Sequence, residues 1–275
     1  MSLVLVPTPI GNLGDISPRA AQALADADFI AAEDTRVSVK LLNHLSLKKP
    51  LVSYHEHNKQ ESGQQILARL QAGETCALVT DAGTPAISDP GEDLVRLCAA
   101  HGVPVTAIPG PCAAVTALAV SGLSTRRFTF EGFLSVNKKN RREHLSSLQG
   151  ETRTMIFYEA PHKLCGTLED LLEAFGPQRS IALCRELTKL HEEVLRMSLQ
   201  KAVDYYREQA PRGEYVLIVA GAAPKVQEAP SLDQCLQMVA ALRSQGSSLK
   251  DAVRQVSRDT GMARNTLYDA ALTDH

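Results

Sequence analysis

Short apolar runs separated by amphipathic stretches recur along the first part of the chain. Leu3–Val6, Asp28–Ala32, Leu51–Ser53, Cys76–Thr80 and Pro104–Ile108 have the length and composition of strands, several of them apolar enough to be buried on both faces. Between them, Ala20–Ala27, Val37–Leu45, Gln60–Gln71, Leu94–Cys98 and Ala113–Ser121 read as helices. The first is announced by Ser17-Pro18, an N-cap followed by a first-turn proline. The third carries Ile66, Leu67 and Leu70 on one side. Regular strand–helix alternation to Gly122 predicts an α/β domain over residues 1–122 with a mostly parallel sheet. Ala113–Ser121 is built from small residues, which favour close packing on a sheet or room for a ligand against the backbone.

After a linker at Leu123–Arg127 the pattern changes. Phe128–Phe133 alternates like a half-buried strand, and Met155–Tyr158, Ser180–Cys184, Val194–Met197 and Glu214–Val219 are further strands. Helices fit Arg142–Leu148, His162–Ala174 and Leu199–Gln209. The expectation is a second α/β domain, residues 123–222, with a mixed sheet and a cleft between the two domains. A linker over 222–230 then leads to a small helical extension, residues 231–275, with helices at Leu232–Leu242, Leu249–Ser257 and Ala263–Leu272. Ser247-Ser248 caps the second helix and Gly261 breaks it from the third. A helix-turn-helix shape fits, but Lys225–His275 holds six Lys/Arg and six Asp/Glu. That balance argues against a DNA reader and leaves an appendage that packs or dimerises equally open.

Polar and Gly/Pro-rich segments gather where four of the first strands end. They are Pro7–Asp15, Glu33–Arg36, Asp81–Gly91 and Pro109–Cys112. Ligands of open α/β sheets sit beyond the carboxyl ends of the strands, so these loops would border one crevice. Asp81 stands at such an end, followed by a loop whose shape is fixed by Gly83, Pro85, Pro90 and Gly91. The first loop lacks the G-x-G-x-x-G spacing, and no P-loop, G-x-S-x-G or H-E-x-x-H is present. His55-x-His57 has no evident third ligand, so no metal is expected.

Composition narrows the class. The 275 residues carry a net charge of −2, which gives no bulk attraction for nucleic acid. No apolar run is long enough to span a bilayer, the start lacks a signal-peptide layout, and the six cysteines contain no C-x-x-C pair. A cytoplasmic protein without membrane association is expected. One stretch departs from the balance: Arg126–Arg153 has seven Lys/Arg against three Glu, a net of +4. Asn137–Arg142 within it carries no acid and reads as a loop for phosphate contact, with an ordinary solvated helix start as the alternative.

Six ordered motifs resemble the tetrapyrrole methylase superfamily over roughly residues 3–221. They are Val6–Leu13, Ala32–Arg36, Thr80–Pro85, Pro109–Ala114, Phe157–His162 and Arg185–Lys189. Together they look like the branch that methylates small-subunit ribosomal RNA, and the helical tail fits that branch as well. The resemblance implies a two-domain methyltransferase, usually a homodimer, that binds S-adenosylmethionine in the cleft. It further implies 2′-O-methylation of a cytidine ribose in the decoding region of 16S rRNA, within the small ribosomal subunit. Carried onto this chain, Pro9, the loop Asp81, Ala82, Gly83, Thr84 and Pro85, and the turn Pro111, Cys112 and Ala113 would line the cofactor site. Tyr158 and the strand end at Ala220-Gly221 would close it. The expected proton acceptor is among Asp34, His57 and Glu159, with Arg36 or Arg185 holding a phosphate or the nucleophile's oxygen. Lys138, Lys139, Arg141 and Arg142 are the expected RNA-backbone contacts. The rival readings are a sibling acting on a tetrapyrrole or another small or modified substrate, and an adaptor that has lost catalysis.

Overall fold

In the computed structural model, which describes residues 1–223 and 230–273, the first five predicted strands form one parallel sheet. They are β1 (Ser2–Leu5), β2 (Phe29–Ala32), β3 (Leu51–Ser53), β4 (Thr75–Val79) and β5 (Val105–Ala107), in the order β3-β2-β4-β1-β5. Alternating residues divide between the sheet's faces. Leu3, Leu5, Phe29, Ala31, Cys76 and Leu78 pack under α3 (Lys59–Gln71) and α4 (Glu92–Ala100). Val6, Ile30, Ala32, Ala77 and Val79 pack under α1 (Pro18–Asp26) and α2 (Thr35–His44). Ser17 caps α1 by accepting from the Ala20 amide, as its position before Pro18 predicts. Because every strand is parallel, all five carboxyl ends share one edge.

The second sheet runs β6 (Phe128–Phe133), β7 (Thr154–Glu159), β10 (Tyr215–Val219), β8 (Ser180–Arg185), β9 (Glu193–Ser198). It is mixed: β6 and β7 are parallel, whereas β10 is antiparallel to both β7 and β8. Met155, Phe157, Leu183, Leu217 and Val219 face α6 (Lys138–Ser147), α7 (Leu164–Phe175) and α8 (Leu199–Glu208). The opposite face, Ile156, Ala182, Cys184, Val216 and Ile218, is covered by α5 (Ala113–Val120), the helix of small residues that follows the first sheet. Helix α5 is almost wholly apolar, yet it buries only Ala114, Ala117 and Leu118 on the sheet and leaves Val115, Ala119 and Val120 exposed. It is tethered at both ends. The Ala114 amide donates to the Tyr158 hydroxyl at 3.1 Å, and Arg196 donates to the Ser121 carbonyl at 3.0 Å and to that of Val120. A cation on those last carbonyls also complements the helix dipole.

Two expectations change. The basic segment Asn137–Arg142 is not a loop, since α6 begins at Lys138. Asn137 accepts from the amides of Lys139 and Asn140, so its capping outweighs the cost of cations in the first turn. Ala220-Gly221 lies at the far end of β10 from the Glu159 and Arg185 pairing of Tyr215, because that strand runs antiparallel.

Residues Met1–Ala222 form one compact unit and Ala223–His275 another. In the second, α9 (Leu232–Ser244), α10 (Leu249–Thr260) and α11 (Arg264–Thr273) enclose Cys235, Val239, Ala252, Val253, Val256 and Leu267. Ser248 caps α10, and Gly261 ends it in the left-handed conformation. Most of the expected 222–230 linker falls outside the described residues. No helix among the described residues is long and apolar enough to cross a membrane.

Close approach of α5 to the second sheet requires small side chains at its contact positions. Ala117 is fully buried there, with its carbonyl 3.7 Å from Cys184 Sγ. Ala117→Leu is expected to lower unfolding free energy by about 1–3 kcal/mol through overpacking, read as a shifted urea midpoint at unchanged slope. An unchanged midpoint would show that α5 has slack on the sheet.

Candidate active site

The loops after β1, β2, β4 and β5 meet at the carboxyl edge of the first sheet and are stitched together. Thr8 and Gly83 exchange two backbone hydrogen bonds, at 2.9 and 3.0 Å. The Thr8 hydroxyl donates to the Thr80 carbonyl at 3.1 Å, and the Thr84 hydroxyl to the Pro111 carbonyl at 2.8 Å. Gly83 has φ of +90°, and a Cβ there would stand 3.4 Å from Ile10 Cγ2. From the second sheet, the loop after β8 presses back on the first: a Cβ on Gly11 would lie 2.5 Å from Lys189 Cγ.

Between these walls lies a cavity of about 580 Å³, of the size that holds a cofactor or drug-sized ligand. Ile10, Cys112, Ala113, Leu187 and Val216 supply apolar surface, and Tyr158 and Phe133 an aromatic side. Phe130 and Phe133 both meet the Tyr158 ring edge-on, at 5.1 and 5.5 Å between centroids. Burial pushes the Tyr158 phenol up to about 12, so it stays protonated while accepting from Ala114.

One wall is acidic. Glu33, Asp81 and Asp89 all border the cavity. The Thr80 hydroxyl donates to Glu33 Oε2 at 2.7 Å and lies beside Asp89. Asp81 Oδ1 accepts from the Asp34 amide at 3.1 Å. Burial and then the charge of Glu33 raise both Asp81 and Asp89, the latter to about 6.

Of the residues expected at the cofactor site, Asp81, Ala82, Gly83, Thr84, Cys112, Ala113 and Tyr158 border this cavity. Pro9, Pro85, Pro111, Ala220 and Gly221 are not among its walls, although the Pro111 carbonyl anchors Thr84. Gly221 has a packing role instead, as a Cβ there would fall 2.0 Å from the Thr152 carbonyl oxygen.

Of the expected catalytic residues only Glu159 borders the cavity. It is 5% exposed, with Oε1 accepting from the Ala160 amide and Oε2 from the Thr167 hydroxyl. Asp34 caps α2 by accepting from the Arg36 amide at 2.8 Å, and the Arg36 guanidinium grips the same carboxylate at 2.6 Å. That grip holds Asp34 at about 2, which makes it a poor proton acceptor at neutral pH. Arg36 is exposed and committed to Asp34. His57 follows β3, an edge strand, and sits against His55. Arg185 pairs with Glu193 at 3.2 Å beside a separate small cavity that also includes Arg212 and Tyr215. Its Nε stands close to Glu193 without hydrogen-bond geometry.

Sequence reasoning missed Glu33, Asp89 and His162. Glu33 adjoins Asp34, and in a strand-end pair only one side chain turns inward. Asp89 lies in the stretch already singled out, and its Asp-Pro-Gly context reads first as a turn. No group of three or more His, Cys, Asp or Glu side chains suited to a metal occurs among the described residues.

A second cavity of about 630 Å³ lies along α6 and α7. Lys138, Arg141 and Arg142 border it, whereas Lys139 does not and instead pairs loosely with Glu143 at 3.9 Å. Arg141 is occupied, bonding Asp170 and the Thr167 hydroxyl.

A family model described as Tetrapyrrole (Corrin/Porphyrin) Methylases matches residues 2–203, and one described as RsmI C-terminal HTH domain matches residues 229–275. The Ribosomal RNA small subunit methyltransferase I of Synechocystis sp. is 47% identical, over 98% of this chain and 97% of its own length. That of Halalkalibacterium halodurans is also 47% identical, over 98% of this chain and 93% of its own. Among solved structures, Uroporphyrin-III C-methyl transferase from Thermus thermophilus complexed with S-adenyl homocysteine is 18% identical. It matches with a TM-score of 0.57 over 80% of this chain and 97% of that one, a likeness of fold. With its parallel sheet, its stitched strand-end loops and relatives at this identity over nearly its whole length, the chain belongs to the tetrapyrrole methylase family and, within it, to the family of ribosomal RNA small subunit methyltransferase I.

Proposed function

We propose that this protein transfers a methyl group from S-adenosylmethionine to small-subunit ribosomal RNA, and that the acceptor is the 2′-oxygen of a cytidine ribose in the decoding region. The observation that carries the reading is the cavity itself, built from four of the loops that also carry the family resemblance. Its features suit the cofactor. Apolar and aromatic walls fit a nucleoside, the acidic wall fits a cation, and the amino terminus of α5 at Ala113 favours a carboxylate. Glu33, Asp81–Thr84, Asp89, Cys112, Ala113 and Tyr158 are the residues that would hold it. S-adenosylmethionine, when bound, supplies an electrophilic methyl on a sulfonium.

The chain's own contribution is to position the acceptor, exclude water and take a proton. A preformed cavity of hydrogen-bonded loops meets the first requirement without ordering cost at binding. For the proton, Glu159 has both oxygens engaged, and Asp34 is held too acidic. Asp89, raised to about 6 and bordering the cavity, is the carboxylate best matched to accept a proton near neutral pH. RNA contact falls to the basic side of α6. Residues 1–122 and 123–222 act in this reading as two domains that close one site. A homodimer and a cytoplasmic location belong to the same reading. The exposed Phe128 and Phe130 on the outer strand β6 are the apolar face to examine for a second copy.

Labelled S-adenosylmethionine offered with small subunits, naked 16S rRNA and a tetrapyrrole tests the assignment. Label on a cytidine 2′-oxygen is the expected result. Label on the tetrapyrrole alone would favour the small-molecule sibling, and no label on RNA with the cofactor bound would remove the RNA assignment.

The acidic wall makes a second prediction. A carboxylate raised in the folded state costs stability once it ionises. The cost of Asp89 is absent below about pH 4 and complete above about pH 6. Asp89→Asn is therefore expected to raise the thermal midpoint at pH 7.5, to lose that gain at pH 4, and to slow methyl transfer. A midpoint difference independent of pH would refute the origin assigned to it.

A further inference from the structure

The groove along α6 and α7 has a different character from the active-site cavity and adjoins it. Two chain segments run from one to the other. Phe133 borders the cavity while Leu134, Ser135 and Val136 border the groove, and Glu159–Pro161 border the cavity while Lys163 borders the groove. His162 borders both. Any chain-like ligand that leaves the cavity by this side therefore enters the groove.

The groove is positively charged, although the whole chain carries −2. Lys138, Arg141, Arg142 and Lys163 face Asp170 and Glu173, a net of +2 from four cations and two acids. Arg141 satisfies Asp170, and through Thr167 it also braces Glu159 at the cavity wall. Lys138, Arg142 and Lys163 are exposed and make no ion pair or side-chain hydrogen bond among the described residues. Lys138 moreover stands in the first turn of α6, where a cation opposes the helix dipole. Unpaired cations at such a position are explained by an anion that visits. Leu134, Val136, Leu145 and Ala174 give the groove an apolar lining against which a ribose or base can lie.

We infer that this groove seats the phosphodiesters flanking the methylated nucleotide, with Lys138, Arg142 and Lys163 as their partners. The inference rests on the ribosomal RNA reading above. The acidic wall repels an RNA backbone and the groove attracts it, so the two fix which part of the strand enters the cavity. Only a nucleotide out of its stack can occupy the cavity while its neighbours lie in the groove. That calls for single-stranded or locally opened RNA. Phe133, 58% exposed at the junction, offers a ring for an unstacked base.

The test uses the full chain and its Lys138→Gln, Arg142→Gln and Lys163→Gln variants, singly and combined. Each is titrated with naked 16S rRNA and with small subunits over a series of salt concentrations. Each loss is expected to reduce the slope of log affinity against log salt by about 0.7–0.9, and the triple variant by about 2–3. Lys139→Gln is expected to leave the slope as it is, and S-adenosylmethionine binding to be the same in all. An unchanged affinity and slope for RNA in the triple variant overturns the inference, including the case in which only binding to subunits falls, which would mark the groove as a protein contact. A wild-type chain that binds no ribosomal RNA removes the functional reading and the groove with it, an outcome distinct from a variant series that fails on an active enzyme.

Discussion

Helix α5 is held by the sheet it did not arise from. Its chain arrives from the edge strand of the first sheet, yet its Ala114 amide donates to Tyr158 of β7 and its last carbonyls accept from Arg196 of β9. Such a helix cannot shift without breaking a part-buried hydrogen bond at each end. The distance between the two sheets follows from it. What remains between the carboxyl edge of the first sheet and the β7–β10 side of the second is the cavity, and the Gly11 contact with Lys189 closes the opposite flank. The site is thus a consequence of helix packing, and the absence of a side chain at Gly11 and the small one at Ala117 are what allow the two halves to come so near.

Charge is divided across this frame. Acids gather at the strand ends, where burial and then the charge of Glu33 raise Asp81 and Asp89. Bases gather on the exposed side of α6 and just before α7. Had the two groups been interleaved they would have neutralised each other as ordinary surface ion pairs, worth little. Separation leaves each with a field of its own, one suited to a sulfonium and one to a phosphate backbone.

Much of this was legible in the chain. Every strand and the three C-terminal helices were visible as apolar runs and caps, and the loops after β1, β2, β4 and β5 were visible as polar and Gly/Pro punctuation. Three things were not. Strand direction was invisible, so Ala220-Gly221 looked like a strand end at the cleft when β10 presents its amino end there. The choice between neighbouring acids was invisible, because Asp34 turns to cap α2 and Glu33 turns inward only once the backbone is fixed. The start of α6 was misjudged because four basic residues look hostile to a first turn, while one asparagine cap suffices to begin it. The local signals were present in each case, but tertiary context decided between them.

The loop carrying Asp89 shows where the fold concentrates its costs. Ala86 and Ser88 adopt φ of +67° and +62°, conformations that non-glycine residues rarely hold. They persist because the surroundings are cut to fit. A Cβ on Gly91 would lie 3.0 Å from that of Ala86, and one on Gly132, at the irregularity in β6, would lie 3.2 Å from the Ser88 hydroxyl. Backbone strain and a desolvated carboxylate therefore occupy the same few residues, and both are supported by contacts from the two sheets. The groove cations Lys138, Arg142 and Lys163 are exposed and carry neither burden. Precision at the cavity then comes from rigidity that is costly to maintain. The groove cations Lys138, Arg142 and Lys163 stand apart from that strained loop, so the two can be altered separately in one protein.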